Sequence, residues 1–191
     1  TLTLFRPERP TASAVVVLPG GGYGGHAPYE GDPVSKWLTT LGIAGATCLY
    51  RVGARGYRHP APLADAQQAI RTLRKMGFRQ VGVLGFSAGG HLASTAATHF
   101  APDCRPDAAI LLYPVIAMDG PHAHAGSRQN LLGPNPAPSL VQSLSTHTQV
   151  NRDTPPCFLM HTVEDRAVPV ENSLLFAAAL AKAGVPFAMQ V

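Results

Sequence analysis

The sequence Gly-Phe-Ser-Ala-Gly at residues 85–89 constrains the fold more than any other stretch of the chain. It follows an apolar run, residues 80–86, that has the composition of a buried strand, and it opens a run of small residues typical of a helix. Glycines two residues to either side of Ser87 let a strand and a helix approach closely around a strained serine. The pattern therefore predicts a sharp strand-to-helix turn that exposes the Ser87 hydroxyl and aims the Ala88 N–H into the same site.

Short apolar runs alternate with helical patterns along the rest of the chain. Strands are predicted at residues 14–19, 43–52, 80–86, 108–113, 156–161 and 186–191. Helices are predicted at residues 32–42, 62–76, 88–100 and 170–183. We expect Asp32 to be the N-cap of the first helix, ahead of Pro33. Because such alternation builds parallel sheets, the sequence predicts an α/β fold with a mostly parallel sheet and helices on both faces.

The length of 191 residues predicts one domain, residues 1–191. Residues 117–154 interrupt the alternation because they are rich in Pro, Gly, Ser, Asn and His. This segment is too long for an ordinary connection between two elements. We expect it to be an irregular excursion over the carboxyl-terminal edge of the sheet, with room for one short helix.

The composition excludes several classes of protein. Hydrophobic residues make up 46% of the chain and charged residues 14%, which is the balance of a globular protein. The net charge is +4, but the arginines are scattered and form no basic stripe, so nucleic acid is not an expected partner. Three cysteines at wide spacing predict neither a disulfide framework nor a zinc site.

Segments that would direct the chain to a membrane or out of the cell are not recognisable in the sequence. No apolar run has the length that a bilayer requires, so no membrane partner is expected. No signal peptide is visible, and the first residue is Thr1 rather than Met. The sequence leaves the compartment open, with a soluble cytoplasmic location preferred over secretion, and it makes no prediction about the oligomeric state.

A glycine-rich stretch, residues 19–25, directly follows the first strong strand. Glycines at this place let the backbone N–H groups of Gly21 and Gly22 turn toward a developing oxyanion. Tyr23 is a candidate for a further donor, and Tyr23 and His26 are both candidates for lining an acyl or alcohol pocket. A phosphate-binding loop is the alternative, but the sequence has neither a G-K-[ST] nor a helix-opening G-x-G-x-x-G there.

A candidate acid loop, residues 161–169, follows the strand predicted at residues 156–161. An exposed serine on such a turn is typical of the nucleophile of a serine hydrolase, and an enzyme with Ser87 in that role needs a carboxylate there to orient a histidine and to stabilise its charged form. Glu164 and Asp165 are both candidates. Both come after Ser87 in the chain, as the acid follows the nucleophile in this class of enzyme.

Four stretches together resemble the small α/β-hydrolases of the acetyl xylan esterase and feruloyl esterase group. They are HPAPLADAQQAIRTLRK, VGVLGFSAGGHLAS, PGGGY and HTVEDRAVPVENSL, and the similarity runs over nearly the whole chain. The resemblance implies an α/β-hydrolase fold, hydrolysis of short acyl esters such as acetyl groups on carbohydrate, and no cofactor. No metal is expected. D-x-x-V-P is typical of the acid loop, which implies Asp165 rather than Glu164. The site residues implied are Ser87 and Asp165 in a catalytic triad, with Gly21, Gly22 and Ala88 at the oxyanion hole.

The sequence departs from the family pattern at the base. In this family the base histidine lies in a loop after the last strand, and none of the eight histidines of this chain is placed there. We therefore expect that the C-terminal histidine loop and a closing helix are missing after Val191. We also expect the 191 residues alone to be close to inactive. His26 and His161 are the first alternatives for the base.

The function expected from the sequence is serine carboxylic-ester hydrolysis through an acyl-serine intermediate. The expected partner is a small-molecule ester or an acylated carbohydrate. Amide hydrolysis of the arylformamidase or peptidase type is an alternative, since the same triad cleaves amides. A catalytically incompetent fragment that only binds ligands is the other alternative.

Overall fold

The computed structural model describes residues 1–9 and 11–191, and its centre is a seven-stranded sheet. Its strands are β1 (Leu2–Phe5), β2 (Ser13–Leu18), β3 (Ala44–Cys48), β4 (Gln80–Phe86), β5 (Ala109–Leu112), β6 (Cys157–Met160) and β7 (Phe187–Gln190). They lie across the sheet in the order β1-β3-β2-β4-β5-β6-β7. Every neighbouring pair is parallel except β1 with β3. The mostly parallel sheet predicted from the sequence is therefore confirmed.

Six α-helices lie within the described residues. They are α1 (Asp32–Thr40), α2 (Ala61–Lys75), α3 (Ala88–Thr98), α4 (Ala125–Leu132), α5 (Pro138–Leu144) and α6 (Glu171–Ala183). Each helix predicted from the sequence pattern is present within a few residues of its expected ends. None of the helices in this part of the chain is long and apolar enough to cross a lipid bilayer.

The direction of each crossover decides which face of the sheet its helix covers. The crossover from β2 to β3 runs one way along the sheet, and those from β3 to β4, β4 to β5 and β6 to β7 run the other way. Because crossovers between parallel strands are right-handed, α1 covers one face and α2, α3 and α6 cover the other. Accordingly, Leu38 of α1 packs with Val17 and Leu84 in a small cluster. Ile70 of α2 and Phe176 of α6 belong to the larger core on the opposite face.

The face that α1 covers is open over β5 and β6. Ile110 and Leu112 of β5 point to this face and are only partly buried. Their neighbours in the register of β6 are Phe158, which is 37% exposed, and Met160, which is 45% exposed. Large apolar side chains in a parallel sheet are usually covered on both faces. The 191 residues therefore present an apolar strip along the outside of β5 and β6.

Two details of the fold differ from the sequence prediction. β1 was not predicted, and it pairs with β3 as the antiparallel edge strand, with Leu2 opposite Cys48. Asp32 was expected to be an N-cap, and this prediction is wrong. Gly31 is the N-cap of α1, Asp32 is the first helical residue, and no side chain caps the helix.

The excursion at residues 117–154 contains two helices, α4 and α5, where the sequence predicted room for one. A buried imidazole attaches it to α3, because His91 Nε2 donates to the Leu144 carbonyl at 2.7 Å. On the other side of the ring, His91 Nδ1 accepts from the Tyr23 hydroxyl at 2.7 Å. Burial lowers the pKa of His91 to about 4, so the ring is neutral at pH 7. One neutral histidine thus joins the excursion, α3 and the loop after β2.

The first prediction concerns Gly85. A Cβ added there would collide with the backbone of Gly89 across the turn, and we expect Gly85→Ala to cost about 3 kcal/mol of stability or more. Gly82→Ala is the control on the same strand, because its Cβ would meet the Ala108 carbonyl oxygen at an ordinary 3.4 Å. Urea unfolding measures both variants. Equal free energies of unfolding would show that the close approach at Gly85 is not required.

The second prediction concerns acid stability. The unfolded chain protonates His91 as the pH falls below its ordinary pKa of 6.5, whereas the folded chain does so only near pH 4. The contribution of His91 to the free energy of unfolding should therefore be fully present above pH 6.5. It should fall by up to about 3 kcal/mol as the pH drops toward 4. His91→Gln keeps a donor and an acceptor but cannot titrate, so its loss over this interval should be shallower. Urea unfolding across this pH range measures the slope, and an unchanged slope in the variant would assign the acid sensitivity to other groups.

Candidate active site

Ser87 lies in the turn between β4 and α3 in a backbone conformation that few residues other than glycine adopt. Its φ is 51° and its ψ is −118°, and such strain persists only where the surroundings enforce it. The Ser87 N–H donates to the Leu112 carbonyl, and the Ser87 carbonyl accepts from the N–H groups of His91 and Val115. The side chain is half-buried at the positive end of α3. The sharp turn predicted from residues 85–89 is confirmed.

Two glycines set how closely the backbone segments approach around Ser87. A Cβ on Gly89 would collide with the backbone of Leu18 at the end of β2. A Cβ on Gly20 would lie 3.1 Å from Ser87 Cβ and 3.0 Å from the Phe86 carbonyl oxygen. The glycine-rich loop after β2 therefore lies directly against the Ser87 turn.

The carbonyl groups at the start of this loop are held by hydrogen bonds. The Pro19 carbonyl accepts from the Tyr50 hydroxyl at 2.6 Å. The Gly20 carbonyl accepts from the Ala27 N–H at 2.9 Å. Both donors are supplied by residues that follow the loop in the chain, so the loop takes this shape only when those residues are in place.

The next two carbonyl groups of the loop are held in the same way. The Gly21 carbonyl accepts from the N–H groups of Gly24 and Gly25, at 3.0 and 3.1 Å. The Gly22 carbonyl accepts from the side-chain amide of Asn130, on α4, at 2.9 Å. The excursion therefore contributes a contact to the loop that packs against Ser87.

The hydrogen-bonded carbonyl groups fix the orientation of the N–H groups in the loop. The C=O and the N–H of one trans peptide point in opposite directions, so each held carbonyl turns the following N–H to the other side of the loop. In the part of the chain that the structure describes, the N–H groups of Gly21, Gly22 and Ala88 donate to no protein acceptor. Ala88 opens α3, where a helix has no acceptor of its own for the N–H. These three free donors thus lie on the two segments that meet at Gly20.

Tyr23 does not take the pocket position expected from the sequence. Its ring is 1% exposed and packs against the ring of Tyr50, with 5.8 Å between the centroids. Its hydroxyl is already bonded to His91. The Tyr23 side chain therefore supports the loop from inside the protein, and its hydroxyl is not free to donate to a ligand.

Asp165 lies in the turn after β6, with one carboxylate oxygen occupied and the other open. Oδ1 accepts from the N–H groups of Ala167 and Val168 at 2.8 and 2.9 Å. Oδ2 lies 3.7 Å from His161 Nε2, which is too long for a hydrogen bond. The Asp165 side chain is 19% exposed, whereas Glu164 is an exposed residue. Of the two candidate acids, Asp165 is the one that the backbone holds in a fixed orientation.

Two buried histidines near the site are already fully hydrogen-bonded. His161 Nε2 donates to the Val168 carbonyl at 2.9 Å, and its Nδ1 accepts from the Ser173 hydroxyl at 2.8 Å. His91 is bonded at both ring nitrogens as well. Neither ring has a free nitrogen that could take the proton of Ser87. His161 instead stabilises the acid loop through Val168.

His26 lines a cavity of about 640 Å³ beside the glycine-rich loop. Its ring packs edge-on against Tyr50, with 4.7 Å between the centroids. Its buried Nε2 has no hydrogen-bond partner among the residues described, and burial lowers the pKa of the ring. Arg55 and Tyr57 line the same cavity. Its volume suits a small ligand or one part of a longer one.

Two residues that shape the site belong to no recognisable motif. Asn130 holds the Gly22 carbonyl from 108 residues away. Glu30 accepts from the Gly20 N–H at 2.6 Å from ten residues away. Each side chain binds a backbone group of a residue ten or more positions away in the chain. No local sequence pattern marks a contact of this kind. Within residues 1–9 and 11–191, no three His, Cys, Asp or Glu side chains are grouped in a way that could hold a metal ion.

Two family models match the chain. The BD-FAE model matches residues 2–105, and the model of the Prolyl oligopeptidase family matches residues 55–191. Together they cover the chain from β1 to its last residue, and both include the Ser87 turn.

Three relatives illustrate the similarity. The chain is 37% identical over 194 residues to an acetylxylan esterase of Xylanibacter ruminicola. This alignment covers 96% of this chain and 40% of that protein. The crystal structure of an acetyl ester-xyloside bifunctional hydrolase from Caldicellulosiruptor lactoaceticus is 47% identical, with a TM-score of 0.92, over 98% of this chain and 75% of that one. The structure of Thermogutta terrifontis esterase 2, phosphonylated by sarin, is 27% identical, with a TM-score of 0.83, over 99% and 77% of the two chains.

The chain spans less than half the length of the curated relatives that it matches. Its sheet and helices superimpose on those of the solved esterases, which confirms the fold expected from the sequence. The chain belongs to the BD-FAE and prolyl oligopeptidase families of α/β-hydrolases, and among them to the acetyl xylan esterase-like group.

Proposed function

We propose that this chain carries the nucleophile, the acid and the oxyanion-hole donors of a serine carboxylic-ester hydrolase that acts on short acyl esters, with acetyl groups on carbohydrate as its substrate class. The observation that carries the proposal is the strained Ser87 turn packed against a loop whose N–H groups are free. Such donors stabilise the oxyanion that forms when a hydroxyl attacks an ester carbonyl. The substrate class is supported by relatives named acetylxylan esterase and acetyl ester-xyloside hydrolase.

The proposed reaction proceeds through an acyl-serine. A histidine takes the hydroxyl proton of Ser87 as Oγ attacks the carbonyl carbon of the ester. The N–H groups of Gly21, Gly22 and Ala88 bind the oxyanion of the tetrahedral intermediate. The alcohol leaves with the proton from the histidine, and a water molecule then hydrolyses the acyl-serine by the same route.

Asp165 is assigned to the carboxylate that orients the histidine. In this class of enzyme the base follows the acid in the chain, and no histidine follows Asp165 in the 191 residues. The end of β7 lies beside the acid loop, because the His161 N–H donates to the Gln190 carbonyl at 3.0 Å. A chain continuing from Val191 would emerge at that loop. The proposal therefore places the base histidine beside the acid loop, at the end of the sheet where β7 finishes.

Ser87→Ala tests the nucleophile. In the full gene product, the variant should lose at least about 10³-fold in kcat for release of acetate from acetylated xylo-oligosaccharides, because the acyl-serine cannot form. A fluorophosphonate probe should label the wild-type protein and not the variant. Ser139→Ala, an exposed serine on α5, is the control and should keep wild-type turnover. Turnover or labelling that survives in Ser87→Ala would remove Ser87 from the mechanism.

Asp165→Asn tests the acid. The asparagine keeps an oxygen to accept from Ala167 and Val168, but it cannot stabilise a charged histidine. We expect kcat to fall by about 10³ to 10⁴-fold with little change in KM. Glu164→Gln, the same kind of change at the exposed neighbour, should have almost no effect. Steady-state kinetics of the two variants decide the assignment, and the opposite ranking would move the acid to Glu164.

A further inference from the structure

Glu30 is a buried carboxylate that lies between two loops of the candidate site. It is 5% exposed and ends the short 3₁₀ turn Pro28–Glu30 that precedes α1. Its Oε2 accepts from the Gly20 N–H at 2.6 Å, and its Oε1 accepts from the Tyr113 hydroxyl at 2.5 Å. A buried carboxylate is costly unless its oxygens are hydrogen-bonded, and here each oxygen has a donor.

The two donors to Glu30 come from opposite sides of the Ser87 turn. Gly20 follows β2, Ser87 follows β4 and Tyr113 follows β5, and these three strands are neighbours in that order. Tyr113 is fixed at the sheet edge, because its N–H donates to the Met160 carbonyl at 2.7 Å. Glu30 therefore connects the glycine-rich loop to a fixed point on the far side of the Ser87 turn.

The peptide between Pro19 and Gly20 is held on both of its sides. Its C=O accepts from the Tyr50 hydroxyl, and its N–H donates to Glu30. A Cβ on Gly20 would lie 2.7 Å from Glu30 Oε2, so the carboxylate is in direct contact with the backbone. The next peptide carries the Gly21 N–H and starts at the Gly20 Cα, so a shift of the Pro19–Gly20 peptide that displaces this Cα also displaces the Gly21 N–H.

We propose that Glu30 is a positioning residue for ester hydrolysis. By fixing the Pro19–Gly20 peptide, it holds the N–H groups of Gly21 and Gly22 in the direction that the oxyanion requires. The inference rests on the function proposed above and adds a residue that does not touch the substrate. Donors that are aligned beforehand lower the energy of the transition state more than that of the bound ester, so their misalignment should reduce kcat and leave KM nearly unchanged.

Glu30→Met in the full gene product is the first test. The unbranched methionine fills the space of the glutamate but cannot accept both hydrogen bonds. We expect kcat to fall about 10²-fold while KM changes by less than about threefold. Glu30→Gln should recover most of the activity, because its amide oxygen can accept from Gly20 and its amide nitrogen can donate to the Tyr113 oxygen. Asp32→Asn, an exposed carboxylate two residues away, is the matched control and should leave kcat unchanged.

Affinity for a phenylboronic acid, which forms a tetrahedral adduct with a serine hydroxyl, separates positioning from a general loss of structure. Across the Glu30 variants this affinity should fall in proportion to kcat/KM, since both measure binding of the tetrahedral state. If Glu30→Met does not fold, Tyr113→Phe is the second variant. It removes one of the two hydrogen bonds to Glu30 and should lower kcat about tenfold with KM unchanged.

Three results would overturn the role of Glu30. The first is a wild-type kcat in folded Glu30→Met, or in Tyr113→Phe if only that variant folds. The second is a rise in KM without a change in kcat. The third is a lower kcat with unchanged affinity for the boronic acid. Failure of the proposed function looks different, because either the wild-type protein would then release no acetate or Ser87→Ala would release it as fast as the wild type.

Discussion

The arrangement depends on contact between backbone and backbone where β4 turns into α3. Gly85 and Gly89 meet across the turn, and Gly89 also meets the end of β2 at Leu18. No side chain fits at either contact, so the helix starts directly on the sheet edge. The serine between the two glycines is forced into its strained conformation, and the loop that follows β2 is brought against it.

The glycine-rich loop gains its order from hydrogen bonds that arrive from several parts of the chain. Its carbonyl groups are bonded by a tyrosine after β3, by its own later residues and by an asparagine on α4. Its first N–H is bonded by a glutamate before α1. Glycine by itself provides freedom rather than order. The loop therefore reaches a defined shape through the whole fold, and its free N–H groups are a result of that folding rather than a property of the glycines.

The parts of the site that could be predicted from the sequence are the local ones. The Ser87 turn depends on residues within two positions of the serine, and the acid loop follows directly from a strand. What could not be predicted depends on distant partners. β1 pairs with residues forty or more positions away, and Asn130 reaches Gly22 across 108 residues. Tyr23 has a φ of 58°, which residues other than glycine rarely adopt. The direction of its ring could therefore not be predicted from the sequence.

The apolar strip along β5 and β6 has a consequence for how the 191 residues behave in water. Exposed apolar surface favours contact between molecules, so we expect a preparation of these residues to associate more as its concentration rises. A low specific activity measured on such a sample mixes two effects, the chemistry of each molecule and the fraction of molecules that remain dispersed. Light scattering recorded alongside the assay separates them, since dilution restores dispersed molecules and leaves the chemistry of each molecule unchanged.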